Sequence, residues 1–245
     1  MIKNTFGPKT FAPQVAVTPE IQFMEDVAPK RMTVLVYGMP GAGKTHFAGT
    51  FPKPLFLDMR GGLETVRKKK VAYYRPKTIA EIISFANPET LKDFRTIVLD
   101  HLTEMTRLLM ADILAVSGRE HAQLQDWGML LERIRRIVVT FTDPELLPDH
   151  HVVFIAEEHY KQDEATGALI GGPAVDGKMF GQIGSWFDCV FHIHNTFNPS
   201  TKTRERFLQT EPDSIYKQIK SRFAGLEKLE KPDFPSLWAK ITKED

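Results

Sequence analysis

A single cysteine, Cys189, leaves the chain without the means for an internal disulfide framework and suits a reducing compartment. It lies in an apolar, strand-like run, which predicts a buried thiol. No apolar run approaches the roughly 20 residues that a membrane-spanning helix requires, and the first residues lack the apolar centre of a secretion signal. The expectation is therefore a cytoplasmic protein with no membrane partner. The formal net charge is only +1, so no global field draws the chain to nucleic acid or lipid. No internal repeat is evident, which argues against a solenoid. Cysteine pairs are missing, and His150, His151, His159, His192 and His194 show no zinc-ligand spacing, so they are read as packing or surface residues. No serine–histidine–aspartate arrangement is recognisable.

Residues 38–45 read Gly-Met-Pro-Gly-Ala-Gly-Lys-Thr, a complete G-x-x-x-x-G-K-[ST] loop. A chance match in a chain of this length is on the order of one in a hundred before context is required. The context fits: an apolar, β-branched stretch, 32–37, precedes the loop, and residues 44–51 can form a helix. Glycines let successive backbone N–H groups point at phosphate oxygens, and the helix adds its positive end. Gly38, Gly41 and Gly43 supply backbone and Pro40 stiffens the turn. Met39, Ala42 and His46 complete the candidate nucleotide-contacting set. Lys44 is expected on the β- and γ-phosphates and the Thr45 hydroxyl on Mg²⁺. The expected ligands are ATP and Mg²⁺. A second metal-side carboxylate is needed on a neighbouring strand. Thr96-Ile-Val-Leu-Asp100 supplies one, with Asp100 also placed to cap a helix starting near Leu102.

The rest of the chain alternates. Strands are predicted at 32–37, 54–58, 71–74, 96–100, 151–157 and 187–194, and helices at 44–51, 78–86, 89–94, 102–116 and 128–142. Such alternation implies an α/β fold, a mainly parallel sheet with helices on both faces. Ligands then gather at the carboxyl ends of the strands, where Asp58, Asp100 and Glu157 would cluster. Residues 1–30 are a proline-rich arm, either strapped over its own core or docked on a neighbouring subunit. Residues 31–222 form the core, in which 159–184 read as a long polar, glycine-rich loop and 203–219 as a hairpin around Pro212-Asp213. Residues 223–245 form a charged, amphipathic tail able to pack back through Leu226, Leu229, Phe234, Leu237, Trp238 and Ile241.

Several stretches share order and spacing with one family: the P-loop; Pro54–Leu63; Thr96–Asp100 followed by His101-Leu-Thr-Glu; Asp126-Trp-Gly128; Val152–Glu158; Trp186–Val190; and Tyr216–Arg222. Together they resemble the phage-type RecA-like ATPases, the AAA-labelled nucleotide-binding proteins of bacteriophages, some of which are single-strand annealing recombination proteins. The resemblance implies a RecA-like P-loop core, ATP bound between adjacent subunits, and a filament or ring on single-stranded DNA. It also implies a single-strand binding protein as a further partner, and a phage protein working in the bacterial cytoplasm. It places Lys220 and Arg222 where basic residues reach an adjacent subunit's site; an exposed basic strand end is the equal alternative. It places Glu157 or Glu158 near a γ-phosphate sensor, with a solvated strand end again the alternative.

One departure stands out. Where the family pattern carries a glutamate, this chain has Asp58-Met-Arg60-Gly-Gly. A guanidinium cannot act as a general base, so slow turnover is expected, with Asp58, Glu64 or Glu157 as replacement bases. For DNA, cations and aromatics are wanted together. Tyr160, Lys161, Lys178 and Phe180 lie where the resemblance puts a DNA-binding loop, and Arg119 and His121 precede Trp127. The run Arg67–Lys70 reads as a solvated face. Near-zero net charge favours weak or ATP-dependent DNA binding. A nucleotide-gated assembly protein is the alternative class, and a small-molecule kinase a third.

Overall fold

The strands that build the sheet are apolar on both sides, which is what a strand covered by helices on each face requires. The structure, a computed structural model, describes residues 29–164, 166–175, 179–200 and 202–243. Ten strands form the sheet: β1 (Thr33–Gly38), β2 (Pro54–Asp58), β3 (Ala72–Tyr74), β4 (Thr96–Asp100), β5 (His151–Gln162), β6 (Leu169–Pro173), β7 (Cys189–Asn198), β8 (Thr203–Gln209), β9 (Lys220–Ser221) and β10 (Leu229–Glu230). The order is β10-β8-β7-β1-β5-β4-β2-β3, with β6 paired to β5 and β9 to β7. The run β7-β1-β5-β4-β2-β3 is parallel, and β6, β8, β9 and β10 join antiparallel. The expected α/β architecture is the one observed.

Among the described residues six α-helices accompany the strands: α1 (Lys44–Ala48), α2 (Ile79–Ser84), α3 (Leu102–Ser117), α4 (Leu124–Thr142), α5 (Met179–Gln182) and α6 (Phe234–Ile241). Strand alternation splits the core in two. Leu35, Leu57, Leu99 and Phe154 pack with Met105, Leu109, Ile134 and Phe141 of α3 and α4. Val34, Val36, Val98 and Val153 pack on the opposite face with Phe47 of α1 and Phe234 and Leu237 of α6. Local signals set the helix ends. Gly118 closes α3 in the left-handed region, φ 64°. A reciprocal Gln123–Asp126 capping box starts α4 four residues before the predicted boundary. Asp233 caps α6 by accepting from the Ser236 N–H.

Four expectations need correction. Residues 89–94 form turns, not a helix; they bury Leu91 without a continuing helical ladder. The stretch read as a long loop at 159–184 is largely ordered. β5 runs on to Gln162 and β6 returns along it. Gly171 and Gly172, which looked like loop signals, sit inside β6 where side chains crowd the backbone. A Cβ on Gly171 would lie 2.4 Å from the Tyr216 ring, and one on Gly172 2.8 Å from Phe180. The hairpin was placed around Pro212-Asp213. Instead, β8 pairs with β7 across a turn near residue 200, because β7 extends to Asn198. Within the tail, Leu229 is exposed, although it was expected to pack back on the core.

Candidate functional site

Register brings the expected carboxylates together. β2 and β4 align Asp58 with Asp100, β4 and β5 align Asp100 with Ile155, and β5 and β1 align Glu157 with Gly38. All end on the edge of the sheet from which the P-loop departs. Two loop glycines adopt conformations that side chains disfavour, Gly41 at φ 79° and Gly43 at φ 108°. The Lys44 side chain curls back over the loop, and its Nζ donates to the Gly38 carbonyl at 2.7 Å and the Met39 carbonyl at 3.0 Å. Lys44 is 9% exposed. Burial pulls its ammonium pKa down, while Glu157, Asp100 and Glu158 oppose that shift. Among the described residues the hydrogen bonds of this buried ammonium go to carbonyls beside a glycine cradle, an arrangement that fits a polyphosphate, whose oxygens would accept charge-assisted bonds from it.

The metal-side pair is also formed. The Thr45 hydroxyl donates to Asp100 Oδ2 at 3.0 Å. Burial pushes the Asp100 carboxyl up to about 6, against the pull of the Thr45 hydroxyl. Asp58 adds to the rise and Lys44 opposes it. Asp100 does not cap α3; His101 holds the N-cap position without a side-chain bond. Thr45 and Asp100 are therefore the residues that would hold Mg²⁺, whose chemistry is to screen phosphate charge when bound.

The remaining candidates fall into two groups. Asp58 is 2% exposed and fully occupied: one oxygen accepts the N–H groups of Gly61 and Gly62, at 2.6 and 3.2 Å, and the other accepts Arg75 Nε at 3.2 Å. It shapes the turn after β2. Glu157 does point at the site, but Arg60 Nη1 donates to its Oε1 at 2.8 Å. Arg60 also lies 3.9 Å from Glu104, and His101 Nε2 lies 3.8 Å from Glu157. Glu64 is exposed beside Arg67. Lys220 and Arg222 lie toward the opposite end of the sheet: Lys220 pairs with Val190, and Arg222 is bound to Asp188, which also caps the start of β1 through Thr33. They do not reach the P-loop of their own chain.

The residues proposed for DNA are held by internal contacts. Arg119 is bound to the buried Asp126. The Tyr160 hydroxyl lies 2.8 Å from the Tyr216 hydroxyl. Lys161 stacks over the Phe180 ring at 4.6 Å, and Phe180 is buried. His121 is exposed, and Lys178 lies outside the described residues, as do residues 1–28 of the N-terminal arm.

Two features had no local signal in the sequence. On β8, Arg206 lies across the P-loop, where a Cβ on Gly43 would stand 2.9 Å from its Cδ. Behind the loop, on the α3 face, Glu158 accepts the Tyr216 hydroxyl at 2.7 Å and lies 3.3 Å from His192 Nε2. Burial pulls the Glu158 carboxyl up, but hydrogen bonds from His192, Tyr160 and Tyr216 outweigh it and bring it down to about 2. The lone thiol, Cys189, is buried as expected, and burial pushes it up to about 12. No group of histidine, cysteine or acidic side chains among the described residues could hold a metal ion as a cluster, and no described helix is long and apolar enough to cross a membrane.

Comparison with known proteins adds the family. No curated protein matches the chain. Among solved structures, the chain is similar to the KaiC-like protein of the archaeon Pyrococcus horikoshii OT3. The two share 14% identity over 73% of this chain and 77% of that one, with a TM-score of 0.40. A family model described as an AAA domain matches residues 30–222, the span that carries the P-loop, the Asp100 strand and Glu157. The chain belongs to the AAA domain family, nucleotide-binding proteins of the P-loop ATPase type.

Proposed function

We propose that this protein binds ATP with Mg²⁺ and uses the bound nucleotide chiefly to gate its own assembly, with slow hydrolysis. The observation that carries this reading is the Arg60–Glu157 ion pair at 2.8 Å. Glu157 is the carboxylate best placed to accept a proton from water at the strand ends, and Arg60 neutralises it. A carboxylate oxygen that already accepts from a guanidinium is less free to accept a proton from water. Lys44, Thr45 and Asp100 need nothing from Arg60, so nucleotide affinity and turnover are separable. The variant R60A tests this. Freed of its partner, Glu157 should raise kcat by about tenfold, within the range a general base contributes, while ATP affinity stays within about twofold. The added substitution E157Q should abolish that gain. Turnover in R60A no faster than in the parent protein would overturn the restraint.

A second reading, action on single-stranded DNA in recombination or annealing, is favoured by one feature. The β5–β6 hairpin extends beyond the parallel sheet and carries Tyr160, 38% exposed, beside Lys161. An aromatic with a cation is the pairing that single strands use. Its test is filter binding with a slowly hydrolysed ATP analogue: without salt-sensitive affinity for single strands the DNA reading fails and the assembly reading stands.

A further inference from the structure

The β7–β8 hairpin passes the end of the sheet and leans over the P-loop. Three contacts join it to the loop. Gly38 packs so tightly that a Cβ would meet the Ile193 carbonyl at 2.2 Å. Asn195 Nδ2 donates to the Gly41 carbonyl at 3.4 Å. The Arg206 side chain rests along Gly43, where a Cβ would stand 2.9 Å from Cδ and 3.0 Å from Nε. Strand alternation explains the alignment. Ile193 and Leu208 belong to the core cluster on the α1 face, so Asn195 and Arg206, two residues nearer the hairpin turn on each strand, face the same way.

Between this hairpin and α1 lies a groove of about 490 Å³, lined by His46, Arg204, Arg206 and Lys231, with Glu205 as its acid. That volume suits a small-molecule site. Arg206 is exposed and has no carboxylate partner among the described residues.

The two ends of a P-loop nucleotide have different needs. Lys44 marks the phosphate end, and Thr45 with Asp100 marks the metal on the β4 side. The nucleoside must then leave past His46 on the side away from Asp100, which is where the groove opens. Resting on the nucleotide reading above, we propose that this groove seats the base and ribose of the bound nucleotide, and that Arg206 is the residue whose guanidinium plane the base lies against. A planar guanidinium stacks on aromatic rings as an ammonium cannot. The β7–β8 hairpin thereby becomes the part of the fold that distinguishes a nucleoside triphosphate from a bare polyphosphate.

The experiment is a calorimetric titration of the full chain with Mg²⁺–ATP and with Mg²⁺–tripolyphosphate. The parent protein should bind ATP at least about tenfold more tightly than tripolyphosphate. R206A should lose about tenfold in ATP affinity, the scale of one stacking contact, and less than about threefold for tripolyphosphate. R206K, which keeps the charge and loses the plane, should lose ATP affinity like R206A. Equal losses on both ligands would make Arg206 a phosphate contact and overturn the proposal; so would no loss on either, or full ATP affinity in R206K. Should K44A bind both ligands as the parent does, the P-loop reading itself fails. A parent protein that binds ATP no more tightly than tripolyphosphate would also overturn the proposal. Unliganded R206A should unfold at the parent's temperature, since Arg206 is exposed and holds no ion pair.

Discussion

At the carboxyl ends of β1, β4, β5 and β7, the two faces of one sheet carry opposite kinds of polar chemistry. On the α1 face stand Gly38, Asp100 and Glu157; on the other stand Tyr37, Glu158 and His192. Glu157 and Glu158 are neighbours in sequence and adopt opposite states. The first is 33% exposed at its side chain and held by a mobile-length arginine; the second is 1% exposed and held by His192 and Tyr216. The α1 face gathers Lys44, Asp100 and Glu157 around the glycine loop, the residues assigned above to the proposed nucleotide and metal. The other face satisfies its carboxylate from within and stacks His192 on Tyr216 at 3.9 Å. The same strand ends thus hold the proposed nucleotide site and a structural clamp, separated by the thickness of a backbone.

That contrast is broken most directly at Lys44. K44A should weaken ATP binding by at least about a hundredfold, because a buried ammonium on phosphate contributes several charge-assisted bonds. It should shift the unliganded unfolding temperature by no more than about 2 °C, since only two bonds to carbonyls are lost and the freed carbonyls can meet water. Titration calorimetry and thermal melting read the two effects. A loss in affinity below tenfold would place the phosphate elsewhere.

Glu158 should show the reverse pattern. E158Q keeps the shape, removes the charge, and should cost about 2 kcal/mol of stability at pH 7, roughly 4–8 °C in a chain of this size, with ATP affinity within about twofold. The pH dependence has a definite sign. The folded carboxyl lies near 2, below its ordinary value, so its contribution is complete above the unfolded value near 4.5 and is lost as pH falls through about 2. The gap between E158Q and the parent should therefore narrow below pH 4.5. A gap that persists to pH 2 would mean that shape, not charge, carries the clamp.

Legibility follows the same division. The cradle was readable because its chemistry is contiguous: one loop, one helix start, and one strand ending in Asp100 belong to local patterns. The parallel sheet was readable from continuous apolar runs such as Thr33-Val-Leu-Val-Tyr37. The clamp joins residues 37, 158, 160, 192 and 216, and no spacing rule links them; only register does. Arg206 over Gly43 was hidden for the same reason, since the segment 203–219 was read as a hairpin around Pro212-Asp213 and its pairing with β7 had no local signal. The turn-holding contacts of Asp58 were not legible because a strand-end aspartate looks alike whether it serves a ligand or the N–H groups of its own turn. Gly171 and Gly172 looked like loop residues because a glycine demanded by a neighbouring ring leaves no trace of that ring in the local sequence.

The smallest effect tests the boundary between the faces. The Tyr37 hydroxyl is fully buried with no hydrogen-bond partner among the described residues. Its ring packs on His192 at 5.2 Å and Tyr216 at 6.3 Å, contacts that phenylalanine retains. Burial, with Glu158 nearby, drives the phenol pKa upward, so the group stays neutral. Y37F removes only an unsatisfied hydroxyl, and should stabilise the protein by roughly 0.5–1 kcal/mol. A loss of stability instead would show that the hydroxyl has a partner, such as a bound water, inside the clamp. Tyr37 also directly precedes Gly38, the first residue of the loop. Because its side chain faces away from α1, ATP affinity should remain within about twofold of the parent. If Y37F weakens ATP binding further than that, the two faces are not independent, and β1 itself transmits the packing of the clamp to the cradle.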